Sequence, residues 1–200
     1  MLLDSVDDKL AVWVATHRLA PLNDVFVWLG TVDKVGLAWV AIALLIGLVG
    51  RLGLGSTVLL AVLTGLAVFA ADSICFGLKD VVERTRPFIA HPQIQPLYVV
   101  HSSSFPAGHA ATAFAGATLL SYVAPRAAPG FLLLAAAIGF SRVYVGVHYP
   151  GDVAAGALIG VAVAVGAVIL LKWASKLSPW PVFPTSRYKA STSFPSGSRR

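Results

Sequence analysis

The sequence predicts an all-α, polytopic membrane helix bundle with five or six transmembrane helices, and three observations carry that prediction. Hydrophobic residues make up 57% of the 200 and charged ones only 12%, against about 45–50% and 25% in an ordinary soluble domain; the mean hydropathy is +0.79. The apolar residues are gathered into uncharged runs near the length of about 17–25 residues that a membrane helix needs. The Lys and Arg residues sit at the ends of those runs and in the C-terminal tail, not along one face. A net charge of +6 distributed in this way suits anionic lipid headgroups, so the bilayer is the expected partner and nucleic acid is not. Cys75 is the only cysteine, which excludes an internal disulfide. The first eight residues carry three aspartates where a signal peptide would be basic, and the chain reads as unprocessed.

Three regions follow. Residues 1–34 form an N-terminal amphipathic, interfacial segment. Between residues 5 and 19, Val6, Leu10, Val12, Trp13, Val14 and Leu19 are interleaved with Asp7, Asp8, Lys9, His17 and Arg18, too much charge for a span. With the short apolar piece at 21–29 added, this stretch is either an interfacial helical hairpin or one poor spanning helix. Residues 35–177 form the transmembrane domain. Residues 35–50 are uncharged and end at Arg51; 52–71 are uncharged again, and the helical pattern continues to about Thr85, where Pro87 ends it. Residues 88–103 are a polar, proline-containing loop. Helices are then predicted over 106–123, 130–143 and 153–171. Residues 178–200, rich in Pro, Ser and basic side chains without periodicity, form a disordered basic tail.

Alternation of the spans puts Arg51, Arg126, Lys172 and Lys176 on one face and Lys79, Arg86, His109, Arg142, His148 and Asp152 on the other. The short basic loops mark the first face as cytoplasmic. The second face, extracytoplasmic by that count, carries three polar clusters. At the end of the long helix, Lys79 and Arg86 are seven residues apart, two turns of one stripe that also holds Asp72, so both cations could grip one anion. The plainer alternative is a charge-laced helix end in which Glu83 pairs with Lys79 and Arg86, and Asp80 with Arg84. The second cluster is Ser104-Phe105-Pro106-Ala107-Gly108-His109 before an apolar helix. Ser104 is the expected N-cap, leaving the N–H groups of Ala107, Gly108 and His109 free to bind an oxyanion. Gly108 lets the anion approach the backbone, and His109 is placed to protonate what leaves; an ordinary capped helix with an exposed histidine is the alternative. The third cluster spans residues 141–152. There Arg142 can hold an anion, His148 can act as base or nucleophile, and Asp152, four residues on, can fix the imidazole tautomer. The Tyr149-Pro150-Gly151 break separates the two helices.

Together the clusters bring cations, a helix N-terminus, two histidines and a carboxylate to one membrane face. A metal held by His109, His148 and Asp152 is conceivable, but three surrounding cations favour phosphate over a divalent ion, so no metal or cofactor is expected.

These residues resemble the type 2 phosphatidic acid phosphatase (PAP2) family, related to vanadium haloperoxidases and bacterial acid phosphatases. The family pattern is Lys, six residues, Arg-Pro; then Pro-Ser-Gly-His; then Ser-Arg, five residues, His, three residues, Asp. Lys79 to Arg86-Pro87 and Ser141-Arg142 to His148 to Asp152 match in full, while Pro106-Ala107-Gly108-His109 has Ala107 where the family has Ser. The resemblance covers about residues 52–172. It implies that Lys79, Arg86 and Arg142, with Ser104, Ala107 and Gly108, hold the phosphoryl group. His148 would attack phosphorus, Asp152 orient it, and His109 protonate the leaving group, through a phosphohistidine. Ala107 removes one hydroxyl; as a lost oxyanion donor that would cost about 10²–10³ in rate, unless Ser103 or Ser104 substitutes. The implied function is a membrane lipid phosphatase acting on a prenyl diphosphate, phosphatidic acid or phosphatidylglycerol phosphate at the extracytoplasmic face of a bacterial cell membrane. A lipid phosphotransferase or a non-catalytic protein binding anionic lipid is the alternative. Ser193-Phe194-Pro195-Ser196-Gly197 in the tail imitates the second motif but lacks its histidine.

Overall fold

The computed structural model describes residues 2–33 and 36–177, and all regular elements among them are helical. In chain order they are α1 (Leu2–Thr16), α2 (Asn23–Val32), α3 (Leu37–Val49), α4 (Leu54–Val82), α5 (Pro87–Ala90), α6 (Gly108–Val123), α7 (Ala128–Tyr144) and α8 (Pro150–Leu177). The expected tail, with its imitation motif, and Lys34 and Val35 lie outside the described residues.

The centre of the bundle is α6, which packs against α3, α4, α7 and α8. Its composition explains that place. Ala110, Ala111, Ala113, Ala115 and Ala117 are all fully buried, and a helix of small side chains lets neighbouring backbones come close. A Cβ on Gly156 or Gly160 of α8 would overlap the carbonyl oxygens of Ala107 and Ala111, and one on Gly116 would overlap the Trp39 ring. The larger core side chains, Trp39, Leu60, Leu119, Leu120 and Ile138, form one apolar cluster.

Three stretches, Leu54–Ala90, Pro125–Tyr144 and Pro150–Trp173, are long and apolar enough to cross a membrane. A pair bent by 75°, Ala20–Val32 with Leu37–Val49, makes a fourth if it counts as one span. The sequence reading of five or six counted 35–50 and 106–123 as separate spans; α3 and α6 are 13 and 16 residues long, short of the usual minimum of about 17. At the bend between α2 and α3, the Thr112 hydroxyl donates to Asp33 Oδ2 at 2.9 Å, tying the end of α2 to α6.

One helix end differs from expectation. α4 stops at Val82, not Thr85, because Glu83 adopts a left-handed conformation with φ 46° and its N–H caps Lys79. Arg86 is extended, as a residue before proline prefers. Lys79 and Arg86 therefore do not share a helical stripe; one closes α4 and the other precedes α5. By contrast α7 stops at Tyr144, next to the expected end at 143, and Gly146 turns the chain at φ 85°. The backbone N–H groups of Val147 and His148 both donate to Arg142 O at 3.2 Å. Pro150 opens α8 as predicted, with Asp152 in its first turn.

Candidate active site

His148 hangs from the end of α7 and Asp152 stands one turn into α8, so the sequence spacing of four brings His148 Nδ1 within 3.4 Å of Asp152 Oδ2. The carboxylate is fully buried and held from several sides. Oδ2 also accepts from the Ser104 hydroxyl at 2.5 Å and from the Tyr149 N–H at 2.9 Å, and Oδ1 accepts from Arg84 Nη1 at 2.7 Å. An acceptor at Nδ1 fixes the proton there and leaves the lone pair on Nε2, which faces Arg86 Nη1 at 3.4 Å. Burial pushes the His148 imidazole below its ordinary range; the Asp152 hydrogen bond opposes this and the Arg86 charge adds to it. The ring is therefore neutral near pH 7, with a free electron pair.

The three predicted cations line the same cavity as His148, and the partners of Arg86 and Lys79 are chiefly neutral carbonyls. Arg86 Nε donates to Ser102 O at 2.6 Å and Nη1 to Val147 O at 2.7 Å; Nη2 reaches the Ser102 hydroxyl at 3.0 Å and Ser103 O at 3.1 Å. Lys79 Nζ donates to Ser103 O at 2.7 Å. Carbonyl partners fix the geometry without cancelling the charge. Arg142 is 1% exposed, lies over the Tyr98 ring at 5.3 Å, and has no hydrogen-bond partner for Nε or Nη1 among the described residues. Buried guanidinium N–H groups are normally satisfied, so these two donors mark a place for an acceptor. A Cβ on Gly30 of α2 would overlap Arg142 Nη1; glycine at this position makes room for the guanidinium.

His109 enters from the first turn of α6. Its Nε2 is 3.1 Å from Gly30 O, and since a carbonyl can only accept, Nε2 carries a proton. Lys79, Arg86, Arg142, His109, His148 and Gly108 all line one cavity of about 490 Å³, whose other walls include Val27, Tyr98, Val100 and Val147. One part of the cavity thus carries the cations together with the Asp72 carboxylate, and another is apolar.

The second motif is arranged differently from its sequence reading. The N-cap of α6 is Ala107, without a side-chain cap bond. Ala107 is fully buried, and its N–H donates to Asp152 O at 3.0 Å. Only Gly108 and His109 thus offer first-turn N–H groups to the cavity. Ser104 is fully buried on Asp152 and does not line the cavity; it acts on the carboxylate instead of the anion. The Ser103 hydroxyl turns to Arg84 O at 3.4 Å. Ser102, which the motif spacing did not single out, lines the cavity, as do Thr31 and Tyr98, and its hydroxyl accepts from Arg86 Nη2.

Arg84 was also missed. The alternative of a charge-laced helix end, with Asp80 on Arg84 and Glu83 on Lys79 and Arg86, gives way to Arg84 bridging Asp152 and Asp7. Its place two residues before Arg86 was the available signal; Asp7, 144 positions before Gly151, left none. Among the described residues no group of three His, Cys, Asp or Glu side chains is arranged to hold a metal, and the cations around His148 suit an oxyanion.

The model of the PAP2 superfamily matches residues 56–176, which include all three motifs. The chain belongs to the PAP2 superfamily. It is 36% identical over 106 residues to decaprenylphosphoryl-5-phosphoribose phosphatase of Mycobacterium tuberculosis, covering 52% of this chain and 56% of that protein. To bacitracin transport permease protein BcrC of Bacillus licheniformis it is 39% identical over 95 residues, covering 46% and 45%. The chain spans about half the length of the curated relatives it matches. In fold it resembles a transmembrane PAP2 type phosphatidylglycerolphosphate phosphatase from Bacillus subtilis, with TM-score 0.68 over 90% of this chain and 89% of that one at 22% identity. LpxE from Aquifex aeolicus gives 0.67 over 80% and 93% at 28% identity. The PAP2 fold and its apolar helices make this an integral membrane protein.

Proposed function

We propose that the protein is a membrane lipid phosphatase that transfers the phosphoryl group of a lipid phosphate or diphosphate to His148 and then to water. One observation carries the reading: a neutral, oriented imidazole nucleophile and a second histidine share a cavity with three cations. Lys79, Arg86, Arg142 and the N–H groups of Gly108 and His109 hold the phosphoryl oxygens and take up the charge that spreads over them during transfer. His148 Nε2 attacks phosphorus, the bond to the leaving oxygen breaks, and His109, as the imidazolium, donates a ring proton to that oxygen. Water then attacks the phosphohistidine, His109 accepts the proton, and inorganic phosphate and free His148 result. Asp152 holds the Nδ1 proton throughout.

The apolar part of the cavity, with Val27, Val100 and Val147, suits the start of a lipid tail. The names of the relatives, which include lipid A phosphatases and an undecaprenyl-diphosphatase, support prenyl or acyl lipids as the class. Prenyl diphosphates, phosphatidic acid and phosphatidylglycerol phosphate are the candidates. The basic residues Arg51, Arg126 and Lys172 mark the ends of the helices remote from the site, which supports an extracytoplasmic active site in a bacterial cell membrane. The test is phosphate release by the detergent-purified protein from a panel of lipid phosphates and diphosphates with chelator present. Release by the wild type that falls about 10⁴-fold or more in His148→Ala is expected; no release from any lipid overturns the reading in favour of simple anion binding.

A further inference from the structure

Asp7 lies on α1, in the segment that the sequence reads as interfacial, yet its carboxylate reaches the far side of the nucleophile. Its Oδ2 pairs with Arg84 Nη2 at 2.7 Å while Arg84 Nη1 pairs with Asp152 Oδ1 at 2.7 Å. Its Oδ1 accepts the N–H of Gly151, the residue before Asp152, also at 2.7 Å. One carboxylate thus grips both the side-chain partner and the adjacent backbone of Asp152. The site is closely fitted: the Arg84 guanidinium lies 3.9 Å over the Tyr149 ring, and a Cβ on Gly151 would stand 2.9 Å from Asp7 Oδ2. Asp7 and Arg84 retain only 14% and 25% side-chain exposure, and Asp152 none.

Among the described residues Arg84 is the partner of Asp152 Oδ1, while Ser104, Tyr149 and His148 all meet Oδ2. The orientation of the carboxylate plane therefore depends on Arg84, and an arginine with a quarter of its side chain exposed needs a second anchor to stay put. Asp7 is that anchor, and the planar fork of the guanidinium transmits its position from one carboxylate to the other. We propose that Asp7 is a positioning residue for the nucleophile: acting through Arg84, it holds Asp152 and so the His148 ring, which makes α1 a working part of the active site. The kinetic consequence rests on the phosphatase reading above; the structural one does not.

Asp7→Asn tests this in the full chain, because it keeps an oxygen for the Gly151 N–H and removes the charge that holds Arg84. Two quantities are measured in micelles: kcat and KM on a lipid phosphate, and the tautomer of His148 from its ring nitrogen shifts. A displaced support of this kind is expected to lower kcat about tenfold with KM within about twofold. Asp7→Glu should recover part of the loss. Adding Asp7→Asn to Arg84→Gln should cost less than about a further twofold, since residues acting as one unit are not additive. The wild-type ring is expected to be protonated at Nδ1, and the Asn variant to show a mixture. An unchanged tautomer, a full additional loss in the Arg84→Gln background, or less folded protein at unchanged kcat would each overturn the proposal. If the wild type releases phosphate from no lipid, the phosphatase reading falls, and the tautomer comparison still decides the role of Asp7.

Discussion

The two histidines of the site are supported very differently. His148 is tied by its backbone to Arg142, by its ring to Asp152, and through Asp152 to Arg84, Ser104 and Tyr149. Among the described residues the His109 ring has one hydrogen bond, from Nε2 to Gly30 O. The difference follows the work each would do. A nucleophile must present one electron pair in one direction, and every fixed neighbour reduces the reorganisation needed to reach phosphorus. An acid that first gives a proton and then takes one back has to exchange partners within each cycle, and a single hydrogen bond to a backbone carbonyl is easily exchanged.

This comparison can be broken at either end. The largest effect is expected at the rigid half: Asp152→Asn keeps the shape but loses the charge that fixes the tautomer and anchors Arg84, and kcat should fall by about 10⁴-fold. A loss of less than tenfold, measured by phosphate release, would show that the web around Asp152 only stabilises the fold. At the looser half, His109→Ala should cost about 10²–10³-fold on a lipid phosphate, and much less on an aryl phosphate whose leaving group needs no proton. Equal losses on the two substrates would remove the acid role. The smallest effect sharpens the comparison through pH. Because burial lowers the pKa of His148, the ring stays neutral as pH falls through the ordinary imidazole value of about 6.5, and the acid limb of kcat/KM should lie below it. Stability has the same sign: an unfolded chain takes up a proton near 6.5 that the folded one refuses, so the fold loses stability as pH drops below that value. An acid limb at or above 6.5 would contradict a buried, neutral nucleophile.

The parts of this site that could be read from sequence are those whose spacing is local. Four residues from His148 to Asp152 across a proline-initiated helix, and glycine and histidine at the start of an apolar helix, are short-range patterns with direct geometric meaning. The helix bundle was legible for a similar reason, since uncharged runs report their own environment. What failed to show were end conformations and distant partners. Nothing in propensity announces that Glu83 turns left-handed and ends α4 three residues early, which moves Arg86 off the stripe it was expected to share with Lys79. Ser104 has the residue type of an N-cap, and its sequence position gives no sign that Asp152, 48 residues away, takes its hydroxyl. Gly30 and Asp7 reach the site from the segment that looked least like part of it, and contacts of that range leave no periodicity to find.

The carbonyl partners of Lys79 and Arg86, and the unmatched N–H groups of Arg142, have a consequence for the protein between turnovers. Lys79 and Arg86 keep their charge beside neutral carbonyls, Arg142 keeps two unmatched donors, and together they attract an oxyanion despite the Asp72 carboxylate that lines the same cavity. Any tetrahedral anion that fits should therefore tighten the whole bundle as it binds. The phosphate left behind by each reaction is such an anion, so the grip that lowers the barrier also resists the departure of the product.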